Sequence, residues 1–310
     1  MRTHASWLTG IGRGLSRAVV LVAGLAIILG LAAAVMFVRS ELLSSDSSVL
    51  EEDEQQLLEA ILEDPNDPGL RVSLASVYLE ERRYDEAIAQ YNEVLKADEN
   101  RQDALIGLGL AYREKGDSDQ ALSAFNKLVE VTEGSEFAGV DRRLEAVHYY
   151  LGEIYLERNE PAKAVEELQA ALKIEPTDAD ALYLLGNALQ AQGEHDGAIA
   201  VYAVATSLVP DFREAYEGMA AAAEKQGDAL VATYARAMIR LFSGDPRTAV
   251  RDLENVTGQS PENAAAYFGL GYGYEQLGDR DKAVAAYRQA IEVDPGQYAA
   301  QSGLARLGGE

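Results

Sequence analysis

The chain has 310 residues, 48% hydrophobic and 25% charged, which is enough apolar material for a sizeable core. It has no cysteine and only three histidines, which excludes disulfides and thiolate metal sites and leaves little for acid–base chemistry. The formal net charge is −24, and it is unevenly placed. Residues 1–39 hold Arg2, Arg13, Arg17 and Arg39 and no acid, so 23 of the 27 basic residues face all 51 acids in the remainder. Such a surface repels nucleic-acid phosphates and anionic lipid, so no nucleic-acid partner is expected. It reads first as solubility and second as an attraction for basic partners.

Residues 1–17 form a short basic tail. Residues 18–38, AVVLVAGLAIILGLAAAVMFV, carry no charge. As a helix they would span about 32 Å, enough to cross the ~30 Å apolar core of a bilayer, and they read as a single transmembrane helix. A cleaved signal peptide is the alternative. Ala32-Ala33-Ala34 offers a weak cleavage pattern, but the apolar run is longer than such peptides carry. The arginines on the N-terminal side place residues 1–17 in the cytoplasm. The large domain then lies on the extracytoplasmic side of the cell membrane. Ala26, Gly30 and Ala34 fall on one helix face; this is either ordinary membrane-helix composition or a seam for weak self-association.

Residues 39–50 read as a serine-rich linker. Residues 51–67 begin with acids at Glu51 to Glu54, which suit a helix N-terminus. Leu57, Leu58, Ile61 and Leu62 then make an apolar stripe that ends at Pro65. This is half of a two-helix unit, placed to cover the first full one.

From residue 68 the chain repeats itself. Residues 145–178 and 179–212 align with Leu151-Gly152 over Leu185-Gly186, Ala164 over Ala198, Ala171 over Ala205 and Pro176 over Pro210. The same marker alanine recurs at Ala87, Ala121, Ala164, Ala198, Ala249 and Ala283, with gaps of 34, 43, 34, 51 and 34 residues. The repeats are therefore 68–101, 102–135, 145–178, 179–212, 230–263 and 264–297. An insert at 136–144 explains the first long gap, and an extra helix at 213–229 the second. Small residues at Ala75, Gly109, Gly152, Gly186, Ala237 and Gly271 mark where two helix backbones approach. Asn159-Glu160 and Gly193-Glu194 supply the turn inside a repeat, and Pro176 and Pro210 close its second helix. The repeat at 230–263 is degenerate, with Arg236 and Arg240 at apolar positions. Its helix at 228–242 can act as the second helix of one pair and the first of the next. Residues 298–307 read as a capping helix.

Period, small residues, turn and prolines together resemble the tetratricopeptide repeat (TPR) family, in its membrane-anchored bacterial form. The resemblance implies an all-α, right-handed superhelical solenoid, here preceded by one N-terminal transmembrane helix. It further implies a concave groove, lined by the first helix of each repeat, that binds peptides or protein segments. Groove positions in such proteins map here to Tyr149, Glu153, Tyr183, Asn187, Phe268 and Tyr272. The family's carboxylate clamp is not expected, because Val72, Ile106, Tyr149, Tyr183 and Phe268 stand where its lysine would be needed.

No catalytic motif is present, and neither a cofactor nor a metal is expected. His148 reads as a packing residue and His195 as a solvated turn residue. Gly107, Gly109, Gly269, Gly271 and Gly273 read as packing glycines. Tyr78, Tyr112, Tyr155 and Tyr274 share one position on first helices and are expected in the core, as are Tyr91, Tyr202 and Tyr287 on second helices. The expected function is a non-catalytic, membrane-anchored scaffold for envelope assembly or secretion, with a chaperone-like holdase for exported chains as the alternative.

Overall fold

The computed structural model describes residues 52–132 and 140–308. The tail 1–17, the apolar run 18–38, the linker and residues 136–139 of the insert lie outside the described residues. Among those described there is no strand, and no helix is long and apolar enough to cross a membrane. They fall into two compact units divided between Asp117 and Ser118.

The first unit holds α1 (52–63), α2 (Pro68–Glu80), α3 (Tyr84–Ala97) and α4 (Gln102–Lys115). The second holds α5 (Ser118–Thr132), α6 (Arg142–Glu157), α7 (Pro161–Ile174), α8 (Ala179–Ala191), α9 (His195–Leu208), α10 (Arg213–Gln226), α11 (Ala229–Phe242), α12 (Pro246–Gln259), α13 (Ala264–Gln276), α14 (Arg280–Val293) and α15 (Tyr298–Arg306).

Two kinds of turn set the helix boundaries. Between repeats the chain makes a β-turn closed by a backbone hydrogen bond three residues back, as from Asp178 N to Glu175 O and from Phe212 N to Val209 O. Pro176 and Pro210 stand at its second position, where a fixed φ and a missing donor are harmless. Asp178 then accepts from the amides of Asp180 and Ala181 and caps α8. Within repeats one residue takes a positive φ, at Arg82, Gly116, Asn159, Gly193, Gly227, Gly244 and Gly278. Three of these, at 159, 193 and 227, are 34 residues apart; the next follows after only 17. Helix α11 therefore ends one hairpin and begins the next.

The six marker alanines are fully buried. Around them, large second-helix side chains fill spaces that glycines leave open. A Cβ built on Gly152 would sit 2.5 Å from Leu168 Cγ. Tyr202 is held on both sides: Cβ atoms on Gly186 and Gly218 would each collide with its ring. Gly271 and Gly303 hold Tyr287 in the same way.

In the second unit each helix packs on the one before and the one after, so even- and odd-numbered helices form two layers. The closest approaches between helices two apart run α6–α8–α10 in the even layer, then α11–α13–α15 in the odd layer. Helices in one layer approach each other on the inside of a bend. The bend therefore changes side at α10 and α11, and the second unit does not carry the single continuous groove expected from the repeats.

Other expectations need correction. Helix α6 starts at Arg142, with Asp141 as its cap. Residues 142–144 thus belong to the repeat and not to the insert, and Leu144 is buried. In α1 only part of the apolar stripe is covered, because Leu58 and Leu62 are exposed. Of the four first-helix tyrosines expected in the core, Tyr78 is buried while Tyr112, Tyr155 and Tyr274 are half-buried. Bases near the start of the following helix cover three of these rings, with Arg83 over Tyr78 at 4.2 Å, Lys163 over Tyr155 at 5.1 Å and Lys282 over Tyr274 at 5.1 Å.

Candidate binding faces

The six groove residues lie on two layers. Tyr149 and Glu153 are on α6 and Tyr183 and Asn187 on α8, all in the even layer. Phe268 and Tyr272 are on α13, in the odd layer. The extra helix causes the split, since inserting one helix moves every later first helix to the opposite layer.

On the even face Tyr149 is half-buried against Tyr150, with ring centres 5.6 Å apart in an edge-on arrangement. Tyr183 is half-buried between Phe212 at 5.3 Å and Tyr202 at 6.1 Å. Asn187 is committed to the core, because its Oδ1 accepts the Tyr202 hydroxyl at 2.6 Å. Glu153 is half-buried. Beside this face His148 Nδ1 lies 2.7 Å from Glu167 Oε2, a structural pairing between α6 and α7.

On the odd face Phe268 departs from the expectation of an exposed ring. It is buried, 6.3 Å from the ring of Tyr287. Tyr272 is half-buried between Phe242 at 5.4 Å and Phe268 at 6.3 Å. It borders an open recess with Glu275, Gln276 and Arg306. Arg306 holds both carboxylate oxygens of Glu275 at 2.8 Å.

The residue set missed a cavity of about 180 Å³ where the bend changes side. Its walls come from α9 (Ile199, Ala203), α11 (Val231), α13 (Ala265) and α15 (Ala299). Tyr216, Met219, Tyr234 and Phe268 form its buried floor. Tyr216 and Tyr234 meet edge-on at 6.1 Å. Burial pushes the Tyr234 hydroxyl up to about 12 and that of Tyr216 well above its ordinary value, so both stay neutral. Helix α9 leads into the cavity with an exposed row of Ala200, Ala203, Val204, Ser207 and Leu208. A sequence signal for this existed: residues 197–210 carry no charge in a strongly acidic chain. His195 also differs from its reading as a solvated turn residue. It begins α9, and its Nδ1 is buried without a hydrogen-bond partner among the described residues.

A carboxylate pair lies at the start of α6 and α8. Burial, a hydrogen bond with Asp178 and the nearby Glu175 raise Glu145 from 4.5 to about 7, while Arg142 opposes the shift. An acid whose pKa rises on folding holds its proton more tightly in the native chain. Its contribution is therefore most favourable below about 4.5 and declines as the pH rises to about 7. Glu145→Gln should raise Tm at about pH 8 and give no gain at about pH 4. The gain should stay within about 1 kcal/mol, as for other solvent-screened charges, and paired thermal melts would measure it.

Tetratricopeptide repeat models match residues 72–136, 234–297 and 271–308, and separately 180–211, while a TPR repeat model matches 152–193. Together they cover well over half of the chain. No curated protein is significantly similar to it in sequence. Among solved structures, a MamA protein is 26% identical, aligning 64% of this chain with 93% of its own at a TM-score of 0.48. The C-terminal part of a TPR repeat-containing protein from Cytophaga hutchinsonii is 18% identical over 84% of this chain and 96% of its own, with a TM-score of 0.53. YrrB, described as a TPR protein with an unusual peptide-binding site, is 21% identical over 79% and 96%, with a TM-score of 0.42. The Cytophaga likeness speaks for the fold alone; the other two, at scores under 0.5, carry no inference.

Proposed function

We propose that this chain, which belongs to the tetratricopeptide-repeat proteins, is a non-catalytic scaffold that binds other proteins on two separate faces. The change of bend at α10 and α11 carries this reading. It gives the even layer one concave face, with Tyr149, Glu153 and Tyr183, and the odd layer another, with Tyr272 and the cavity over Phe268. Two faces on opposite layers suit a protein that joins partners to one another. The acidity of the domain favours partners with basic segments. The apolar row on α9 also suits a holdase. The two readings separate in a crosslinking pull-down from native membranes, where a scaffold returns a few stoichiometric partners and a holdase many substoichiometric ones.

The scaffold is tethered by residues 18–38, with residues 1–17 in the cytoplasm and the repeats outside, where they serve envelope assembly or secretion. Protease added to intact spheroplasts should then digest the chain beyond residue 40, and full protection would reverse this topology. For the even face, a Tyr149→Ala, Tyr183→Ala variant should lose partner capture while keeping helix content. Undiminished capture by a folded variant would remove these rings from the binding surface.

A further inference from the structure

We propose that the cavity between α9 and the α11–α13–α15 bend binds a protein segment through one aromatic side chain flanked by lysine or arginine. The inference rests on the scaffold reading and adds the chemistry of one ligand.

Size selects the anchor. The cavity measures about 180 Å³, and an apolar cavity of ~150 Å³ accommodates a benzene ring. Ala203, Ala265 and Ala299 are among its lining residues, and their small side chains leave room for a flat group. Rings of Tyr216, Tyr234 and Phe268 lie below, and ring-on-ring contact adds about 0.5–1.5 kcal/mol beyond burial.

Four polar side chains at the cavity already spend hydrogen bonds within the chain, and Gln297 adds an amide at its edge. The Thr206 hydroxyl donates to Ala203 O at 3.1 Å and the Ser207 hydroxyl to Val204 O at 2.7 Å. The Tyr216 hydroxyl donates to Pro210 O at 3.2 Å. Asn263 Oδ1 accepts from the Ala266 amide at 2.9 Å. A polar anchor would exchange its water for few partners here, whereas an aromatic ring gives up no hydrogen bond on entering.

Charge selects the flanks. Asp211 adjoins Pro210, Glu214 lies two residues before Tyr216, and Glu262 adjoins Asn263. All three are exposed; none is in an ion pair among the described residues, and Glu262 accepts the Ser260 hydroxyl at 2.5 Å. Arg213, the nearest base in sequence, is held by Glu217 at 2.8 Å. Asp211 also lies close enough to Tyr216 to act on its hydroxyl. Carboxylates around an uncharged apolar mouth complement a segment with an apolar centre and basic ends. Exposed Val204 (46%) and Leu208 (40%) extend the apolar track beyond the mouth.

The test measures fluorescence anisotropy of labelled peptides KKGWGKK, KKGAGKK and EEGWGEE on the full chain in non-ionic detergent. KKGWGKK should bind, and the other two should be weaker by about tenfold or more. Ala203→Trp, on the exposed side of α9, should fill the mouth and weaken KKGWGKK by about tenfold at unchanged helix content. Asp211→Lys with Glu262→Lys should weaken it and flatten its salt dependence. Equal binding of KKGAGKK, or binding untouched by Ala203→Trp, overturns the proposal. Equal binding of EEGWGEE overturns the choice of basic flanks. A concentration-dependent dimer in sedimentation that Ala203→Trp dissolves would assign the cavity to a second copy, against the proposal. Partner capture from native membranes tests the scaffold reading separately: if capture survives Ala203→Trp while the peptides fail, the scaffold stands and this ligand falls.

Discussion

Tyr202→Ala is expected to destabilise the second unit by about 3–5 kcal/mol, the range for removing a fully buried aromatic side chain. Tyr202 is fully buried. Gly186 on α8 and Gly218 on α10 press on its two sides, and a Cβ on Gly218 would stand 2.5 Å from its Cζ. Because glycines carry no side chain that could swing into the space, the void stays open and the cost falls toward the upper end. Tyr202→Phe should cost only about 1 kcal/mol, for the hydrogen bond to Asn187. Gly186→Ala makes a sharper comparison. Alanine gains up to about 1 kcal/mol over glycine within a helix, but crowding a packed core costs about 1–3 kcal/mol, so the net change should be destabilising. Urea titration followed by circular dichroism would rank the three. Hydrogen exchange should place the loss in α8–α10, since stability in repeat arrays is local.

Removing α15 by a stop after Pro295 is the second large effect. It strips Gly303 from one side of Tyr287, which is otherwise fully buried. It also removes the two-pronged hold of Arg306 on Glu275 and the bond from Arg280 to Leu307 O. The exposed surface matches one or two large apolar side chains, at about 1.5–3 kcal/mol each. End units of a repeat array open first, so α13 and α14 should become sensitive to limited proteolysis while α6–α9 keep the protection of the parent. Unchanged protection of α13 and α14 would show that α15 does not act as a cap.

Much of the helix arrangement is legible in the sequence because it rests on small residues with no substitute. Gly152 and Gly186 mark helix crossings because any Cβ there would meet Leu168 or Tyr202. Asn159 and Gly193 mark turns because the backbone takes a positive φ. The binding faces were less legible. The 51-residue gap between Ala198 and Ala249 is visible as one repeat plus one helix. Its effect on Phe268 and Tyr272, however, emerges only by counting layers, since each helix must lie opposite the last. Asn187 looks like a groove residue by position, yet the Tyr202 hydroxyl beneath it claims its oxygen. Tyr155 and Tyr274 fit a core position by period alone, but each is half-buried with a lysine over its ring. Helix α6 starts three residues before the repeat period places it, because Asp141, a strong cap, lies within the insert.

The single helix α10 also has an evolutionary consequence. Duplication or loss of a whole hairpin lengthens or shortens such an array and leaves every later surface pointing where it did. Gain of one helix instead inverts everything downstream in a single event, with no change to the inherited residues. A lineage carrying this chain could thus acquire a second, oppositely directed surface without evolving a new one, and loss of one helix would fuse the two again.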